Sequence, residues 1–197
     1  MKKALIGAGG LAGEMTALLG TKLPCFIEDT YLPLAKGKVL PLSSFDPSAY
    51  QVCIAIANPL VRARIAANLP QSTTFFTYVH PTALFHGERK AIGEGTFIGC
   101  YAVVMNDVVI GKHCLLNRNN QIGHNSALGD FFTGLPSAII SGNVTIGKRV
   151  LMGAGAMVLE NLRVCDDVTI GAMTCVTKDL INMGVYVGTP ARLKESL

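Results

Sequence analysis

The sequence predicts a small α/β domain, residues 1–80, followed by a parallel β-helix of six-residue repeats, residues 81–197. Three observations predict it. Every sixth residue from Ile92 to Val176 is aliphatic or Met, with Gly134 the one departure. A glycine follows this key residue at 93, 99, 111, 123, 129, 147, 153 and 171, and small or β-branched residues prevail four positions after it, as at Thr96, Ala102, Ser126, Ala138 and Val150. Residues 1–80 lack this register; apolar runs there alternate with stretches of helical spacing.

KKALIGAGG reads as a strand running into glycines, and LAGEMTALLG as a helix. PCFIED is a second strand ending in acids, QVCIAIANP a third, and VRARIAANLP a helix carrying Arg62 and Arg64. These make an open, parallel sheet of three evident strands, linked by HPTA at 80–83 to the repeat. Within the repeat, side-chain alternation puts the key residue and the residue two before it on one strand face, both inward. The glycine after the key is expected to serve a tight turn. Three units make a triangular coil of 18 residues, and about five coils stack into a prism with no long inserted loop. The stretch GTPARLKESL loses the register and is expected to form a strand or loop and then a short helix capping the last coil.

Composition excludes several classes. Half of the 197 residues are hydrophobic and 15% are charged, as in a compact protein. The net charge of +4 comes from scattered Lys and Arg with no basic run, which argues against a nucleic-acid partner. No apolar stretch approaches the roughly 20 residues needed for membrane insertion. MKKALIGAGG has the charged start of a signal peptide, but the glycines favour strand–turn–helix. The six cysteines form no C-x-x-C pair, so a cytoplasmic localisation is expected.

GAGGLAG at 7–13 leaves a strand and opens a helix, the setting in which backbone N–H groups approach a phosphate. Glu28 and Asp29 follow about 20 residues on, where a dinucleotide fold places its ribose-binding acid. The short domain favours a single nucleotide moiety; alternatively the glycines only let the helix pack close to the sheet. The histidines 80, 86, 113 and 124 have no metal-ligand spacing, so no metal is expected, and Lys112 and His113 read as turn residues. His124 stands two after Ile122 and so lies off the interior face. Asn117, Asn119 and Asn120 precede it, and FFTGLPS follows with Phe131 at an outward position. A polar cluster beside exposed apolar surface fits a groove between packed prisms.

The repeat together with GAGGLAGE, FIEDT, AIANPLVRARI, HPTA, the histidine coil, SGNVTIG and VGTPARL resembles the NeuD/PglD type of bacterial sugar acetyltransferase, a family of left-handed β-helix acyltransferases. The resemblance covers nearly the whole chain. It implies a homotrimer with active sites between prisms, acting in surface polysaccharide biosynthesis. It also implies acetyl-CoA as co-substrate, and a UDP-, GDP- or dTDP-linked amino deoxysugar bound by the N-terminal domain. Gly7, Ala8, Gly9 and Gly10 match the nucleotide-binding turn, Glu28 and Asp29 the acidic pair, and Asn58 and Arg62 the third strand–helix segment. His124 matches the catalytic base and Asn117 a polar residue of the same site. Gly142, Ala154 and Ala172 fall at acetyl-CoA contacts, and Gly188 to Arg192 matches the stretch near that ligand's far end. Two positions depart: Asn125 stands where an acid often follows the histidine, and Thr133 replaces a second histidine close to the thioester.

The implied reaction is direct attack by the sugar amine on the thioester in a ternary complex. His124 would serve as general base and the Gly142 backbone as candidate oxyanion donor. A sugar O-acetyltransferase and a non-catalytic nucleotide-sugar-binding trimer are the competing readings.

Overall fold

The computed structural model describes residues 1–35, 37–87 and 91–195. The N-terminal sheet runs in the order β3-β2-β1-β4-β5, all parallel. Its strands are β1 (Lys2–Ile6), β2 (Cys25–Ile27), β3 (Leu40–Pro41), β4 (Tyr50–Ile54) and β5 (Thr74–Phe75). Two more strands than expected are present; β3 and β5 are two-residue edge strands, too short to leave a periodic signal. Helix α1 (Gly10–Leu19) follows β1, and helix α2 (Pro59–Asn68) follows β4. Asn58 caps α2 by accepting the Val61 N–H at 3.1 Å, and Pro59 occupies the first turn, where its missing N–H costs nothing.

One side of this sheet packs Ala4, Ile6, Val52 and Ile54 against Ile65 of α2. The other packs Leu5 and Cys53 against Ala12 and Met15 of α1, and in the same cluster against Phe97 and Leu115 of the β-helix. The two halves therefore share a core.

From Tyr78 onward two-residue strands pair in parallel with residues about 18 positions on, forming three faces of a left-handed prism. The first face starts at Tyr78–Val79, ahead of the expected boundary at residue 81. The second starts at Leu84–Phe85 and the third at Ala91–Ile92. Key residues such as Ile98, Leu116, Ile140 and Val158 and small partners such as Ala102, Val144 and Ala156 are fully buried, as alternation requires. At Gly134 the two roles are exchanged. The large residue is Phe132, fully buried two positions earlier, and an added Cβ on Gly134 would meet the Asn120 carboxamide and the Phe132 ring.

The glycines after the key have a different cause from the one expected. The left-handed conformation falls two residues later, at φ near +57°, in Tyr101, Asp107, His113, Asn119, Asn125, Phe131, Asn143, Arg149, Asp167 and Met173 among others. Gly129 is needed because a Cβ there would lie 2.6 Å from the Gly147 backbone of the next coil. Close stacking of coils, not turn geometry, excludes a side chain.

Among the described residues the expected terminal helix is absent. Gly184–Val187 extends the first face in parallel, and Arg192–Glu195 then pairs with it antiparallel. Tertiary pairing overrides the helical propensity of RLKE.

Candidate functional site

A cavity of about 640 Å³ opens at the carboxyl ends of β1, β2 and β4. It lies at the point where the strand order reverses between β1 and β4, the usual ligand position in an open α/β sheet. Gly7, Ala8, Gly9 and Gly10 line it with Ile27, Glu28 and Ile56. Gly7 has φ +110°, and a Cβ there would lie 2.8 Å from Ala55 O, so this position requires glycine. Gly9 is the N-cap of α1 with no capping side chain, and nothing lies near an added Cβ. The first N–H groups of α1 are thus left for an anion.

Of the expected acidic pair, only Glu28 reaches the cavity. Arg64 grips it through two hydrogen bonds of 2.7 and 2.8 Å and holds its carboxyl below the usual range. Asp29 is instead spent on Ser43, accepting from its N–H at 3.1 Å and its hydroxyl at 2.6 Å. Asn58 is occupied as the α2 cap.

Of the two arginines of α2, Arg64 and not Arg62 lines the cavity. Arg62 was expected at the ligand, but it is buried between the two halves of the molecule. Its Nε donates to His113 O at 2.8 Å, and Nη1 to Ile56 O and Ala57 O at 2.6 and 3.1 Å. Nη2 donates to Phe131 O, Phe132 O and Thr133 Oγ1 at 2.8, 3.0 and 2.8 Å. Burial lowers its pKa to about 10, so it stays charged at neutral pH. Arg64, with Tyr31 and Leu34 at the cavity mouth, carries the position that sequence reasoning missed. Its spacing from Glu28 held no signal, because a bidentate pair across two elements leaves no local pattern.

His124 is exposed at the corner between the second and third faces. Its Nδ1–H donates to Asn125 Oδ1 at 2.8 Å, the tautomer assigned from the acceptor, which leaves Nε2 with a free lone pair. Asn125 sits at φ +57°, a conformation its residue type tolerates. The ring lies over Gly142 of the next coil, where a Cβ would come 2.6 Å from Nε2. A side chain at 142 would displace the imidazole.

Ala154 and Ala172 stand exposed, 18 residues apart, at the corner between the first and second faces, a different edge from that of His124. Arg192 is exposed on the final strand, its Nη1 bonded to Ala191 O. Asn117 turns toward the N-terminal domain, its Nδ2 3.5 Å from Glu14 Oε2. Thr133 is fully buried, donating to Ala57 O at 2.8 Å while it accepts from Arg62, so it cannot touch a ligand. Phe131 is not free prism surface either: it stacks on His113 with ring centroids 5.0 Å apart. His113, expected as a plain turn residue, is buried in the same seam against Phe75. Among the described residues no group of three His, Cys, Asp or Glu side chains could hold a metal.

The fold and this corner define a class: a hexapeptide-repeat left-handed β-helix behind an α/β sheet, with an oriented histidine on its surface. Residues 91–124 match the bacterial transferase hexapeptide (six repeats) family. Over this stretch the chain is similar to the hexapeptide-repeat transferases. Over 102 residues it is 36% identical to UDP-3-O-acylglucosamine N-acyltransferase of Delftia acidovorans, a match covering 52% of this chain and 30% of that protein. The chain thus spans less than a third of that relative's length. Among solved structures, the acetyltransferase domain of PglB from Neisseria gonorrhoeae FA1090 in complex with acetyl coenzyme A is 28% identical, with TM-score 0.84 over 98% of each chain. WeeI from Acinetobacter baumannii AYE shares the fold at TM-score 0.88 and 24% identity, covering 98% of this chain and 100% of that one.

Proposed function

We propose that the protein is an acetyl-CoA-dependent N-acetyltransferase that acts on the amino group of a nucleotide-linked amino deoxysugar. The observation that carries the reading is His124, with Nδ1 tied to Asn125 and Nε2 held open over Gly142. The similar PglB domain holds acetyl coenzyme A, and the curated relative is named for N-acyl transfer to a UDP-linked sugar. In the cavity, the diphosphate meets the uncapped N-terminus of α1 and the nucleoside the Glu28–Arg64 side. The neutral sugar amine attacks the thioester carbonyl. A C–N bond forms, His124 Nε2 takes the amine proton, and the C–S bond breaks. The imidazolium then returns the proton to the departing thiolate as coenzyme A thiol. The Gly142 N–H, which has no acceptor among the described residues, is the candidate donor to the oxyanion. The six free thiols fit a cytoplasmic enzyme supplying sugars for surface polysaccharide.

One chain does not bring these parts to one edge. The cavity lies within the N-terminal domain, which is strapped to the first face through Thr133 and Ala57. His124 instead stands at the corner between second and third, and Ala154 and Ala172 at the corner between first and second. The outer second face carries Leu84, Val103, Ile139 and Met157, apolar except for Gln121 between Val103 and Ile139, beside His124. We therefore assign the complete site to the groove between copies in a closed homotrimer, which buries this face without open-ended growth. Sedimentation is expected to give a trimer mass; a monomer at micromolar concentration would refute the shared site.

Coenzyme A thiol release on UDP-, GDP- and dTDP-linked amino sugars tests the reaction. Turnover with an amino sugar is expected; turnover with a hydroxy sugar alone would mean O-acetylation, and none at all a binding scaffold. Gly9→Val is expected to fold normally, since its φ of −80° and open surroundings accept a branched side chain. The new methyls fill the cavity turn, so calorimetry is expected to show at least about a tenfold loss of sugar-nucleotide affinity, worth roughly 1.4 kcal/mol. Acetyl-CoA binding stays unchanged. Equal loss of both would contradict the assignment of the two ligands to separate regions.

A further inference from the structure

We infer that Arg62 is a positioning residue for the proposed reaction, fixing the wall of the nucleotide cavity to the prism coil that carries His124. The inference rests on the acetyl-transfer reading, but its physical basis is independent of it. Ile56 and Ala57 line the cavity, and their carbonyls accept the Arg62 Nη1 bonds. The other two nitrogens grip His113 O, Phe131 O, Phe132 O and Thr133 Oγ1. Phe131 to Thr133 form the next corner along the same coil as His124 and lead into the first face. A single guanidinium thus joins the ligand wall to the histidine coil, and Thr133 Oγ1 to Ala57 O adds a second strap alongside it.

An arginine suits this position because its five N–H groups point in fixed directions within one plane. Apolar contact alone does not set an angle. The shared cluster of Leu5, Met15, Cys53, Phe97 and Leu115 keeps the two halves together but is non-directional. The hydrogen-bonded fork supplies the direction. No carboxylate partners this buried charge among the described residues; its oxygens are all carbonyl or hydroxyl, and they come from both halves. A residue that served only one half would not divide its bonds in this way. Whichever copy in the assembly supplies the histidine, the sugar's reach is set by how this domain is seated on its own prism.

The test uses Arg62→Met and Arg62→Lys in the full chain. Calorimetry measures sugar nucleotide and coenzyme A, thiol release measures kcat, and maleimide labelling mapped by mass spectrometry follows Cys53. This buried thiol lies in the seam, its Sγ 3.5 Å from Gly95 O of the prism. Both variants are expected to bind each ligand within about threefold of the parent. Their kcat falls by about 10²-fold for Met, the cost of roughly an ångström of misplacement, and by less for Lys. Cys53 labelling is expected to quicken at least about tenfold, as local opening of the seam requires. Unchanged kcat, or a kcat loss matched by an equal loss of sugar-nucleotide affinity, would overturn the inference. So would Cys53 labelling at the parental rate. If the parent itself shows no turnover, the acetyl-transfer reading fails by itself, and the labelling rates alone decide whether Arg62 fixes the seam.

Discussion

His124→Ala is expected to lower kcat by about 10²–10⁴-fold, the usual worth of a positioned general base, while acetyl-CoA affinity stays near that of the parent. The imidazole takes a proton only as the C–N bond forms, so its loss falls on kcat rather than on ground-state binding. The variant should fold unchanged, because His124 is exposed and the prism is held by its interior column. Asn125→Asp supplies the complementary measurement. A carboxylate in place of the Asn125 Oδ1, 2.8 Å from Nδ1, would stabilise the protonated ring. The acidic limb of kcat/KM is then expected to move to higher pH. Near-normal turnover in His124→Ala would rule out the base. A missing shift in Asn125→Asp alone would rule out only the pairing with residue 125.

Acid is expected to unlatch the two halves of the molecule at His113. Burial lowers its pKa from 6.5 to about 4, with Arg62 and Lys112 adding to the effect and Glu94 and Asp130 opposing it. The folded state therefore favours the neutral ring, and the unfolded chain binds the proton first. The stabilisation is complete above pH 6.5 and is lost progressively as pH falls toward 4. The full difference is about 3 kcal/mol, at roughly 1.4 kcal/mol per pKa unit. His113→Phe preserves the stack on Phe131, and Phe131 and Tyr101 show that an aromatic residue tolerates the same backbone conformation. Urea unfolding at pH 7, 5.5 and 4 is expected to show a steeper fall in the parent than in His113→Phe. Parallel curves would mean that His113 takes no part in the acid response.

The prism was legible because a period of six reports directly on side-chain direction, and no tertiary contact was needed to read it. The cavity turn was legible for a similar reason: glycines between a strand and a helix imply a local geometry, and Gly7 has it. Arg62 and Arg64 could not be told apart in the same way. They lie two residues apart on one helix, and only the docking of the sheet on the prism decides which meets carbonyls and which meets Glu28. Thr133 and Phe131 went astray through the same docking. Both occupy outward register positions, yet the N-terminal domain covers that part of the first face. Asn117 likewise turns to Glu14, a partner over a hundred residues earlier. Register gives direction on the prism, but it does not say what stands opposite.

The left-handed corners hold a further consequence. Asn and Asp, which tolerate that conformation, occupy many of them: Asp107, Asn119, Asn125, Asn143, Asn161 and Asp167. Where other types appear, burial or pairing often accounts for them, as with His113 and Phe131 in the seam or Arg149 on Asp167. Tyr101 and Met173 differ. They are large, 65% and 75% exposed, and hold φ of +57° and +56° where asparagine would relieve the backbone. Both stand at the corner that also presents Ala154 and Ala172. Asparagine at either position is expected to relieve the backbone and raise the melting temperature, at the cost of a large exposed side chain on this edge.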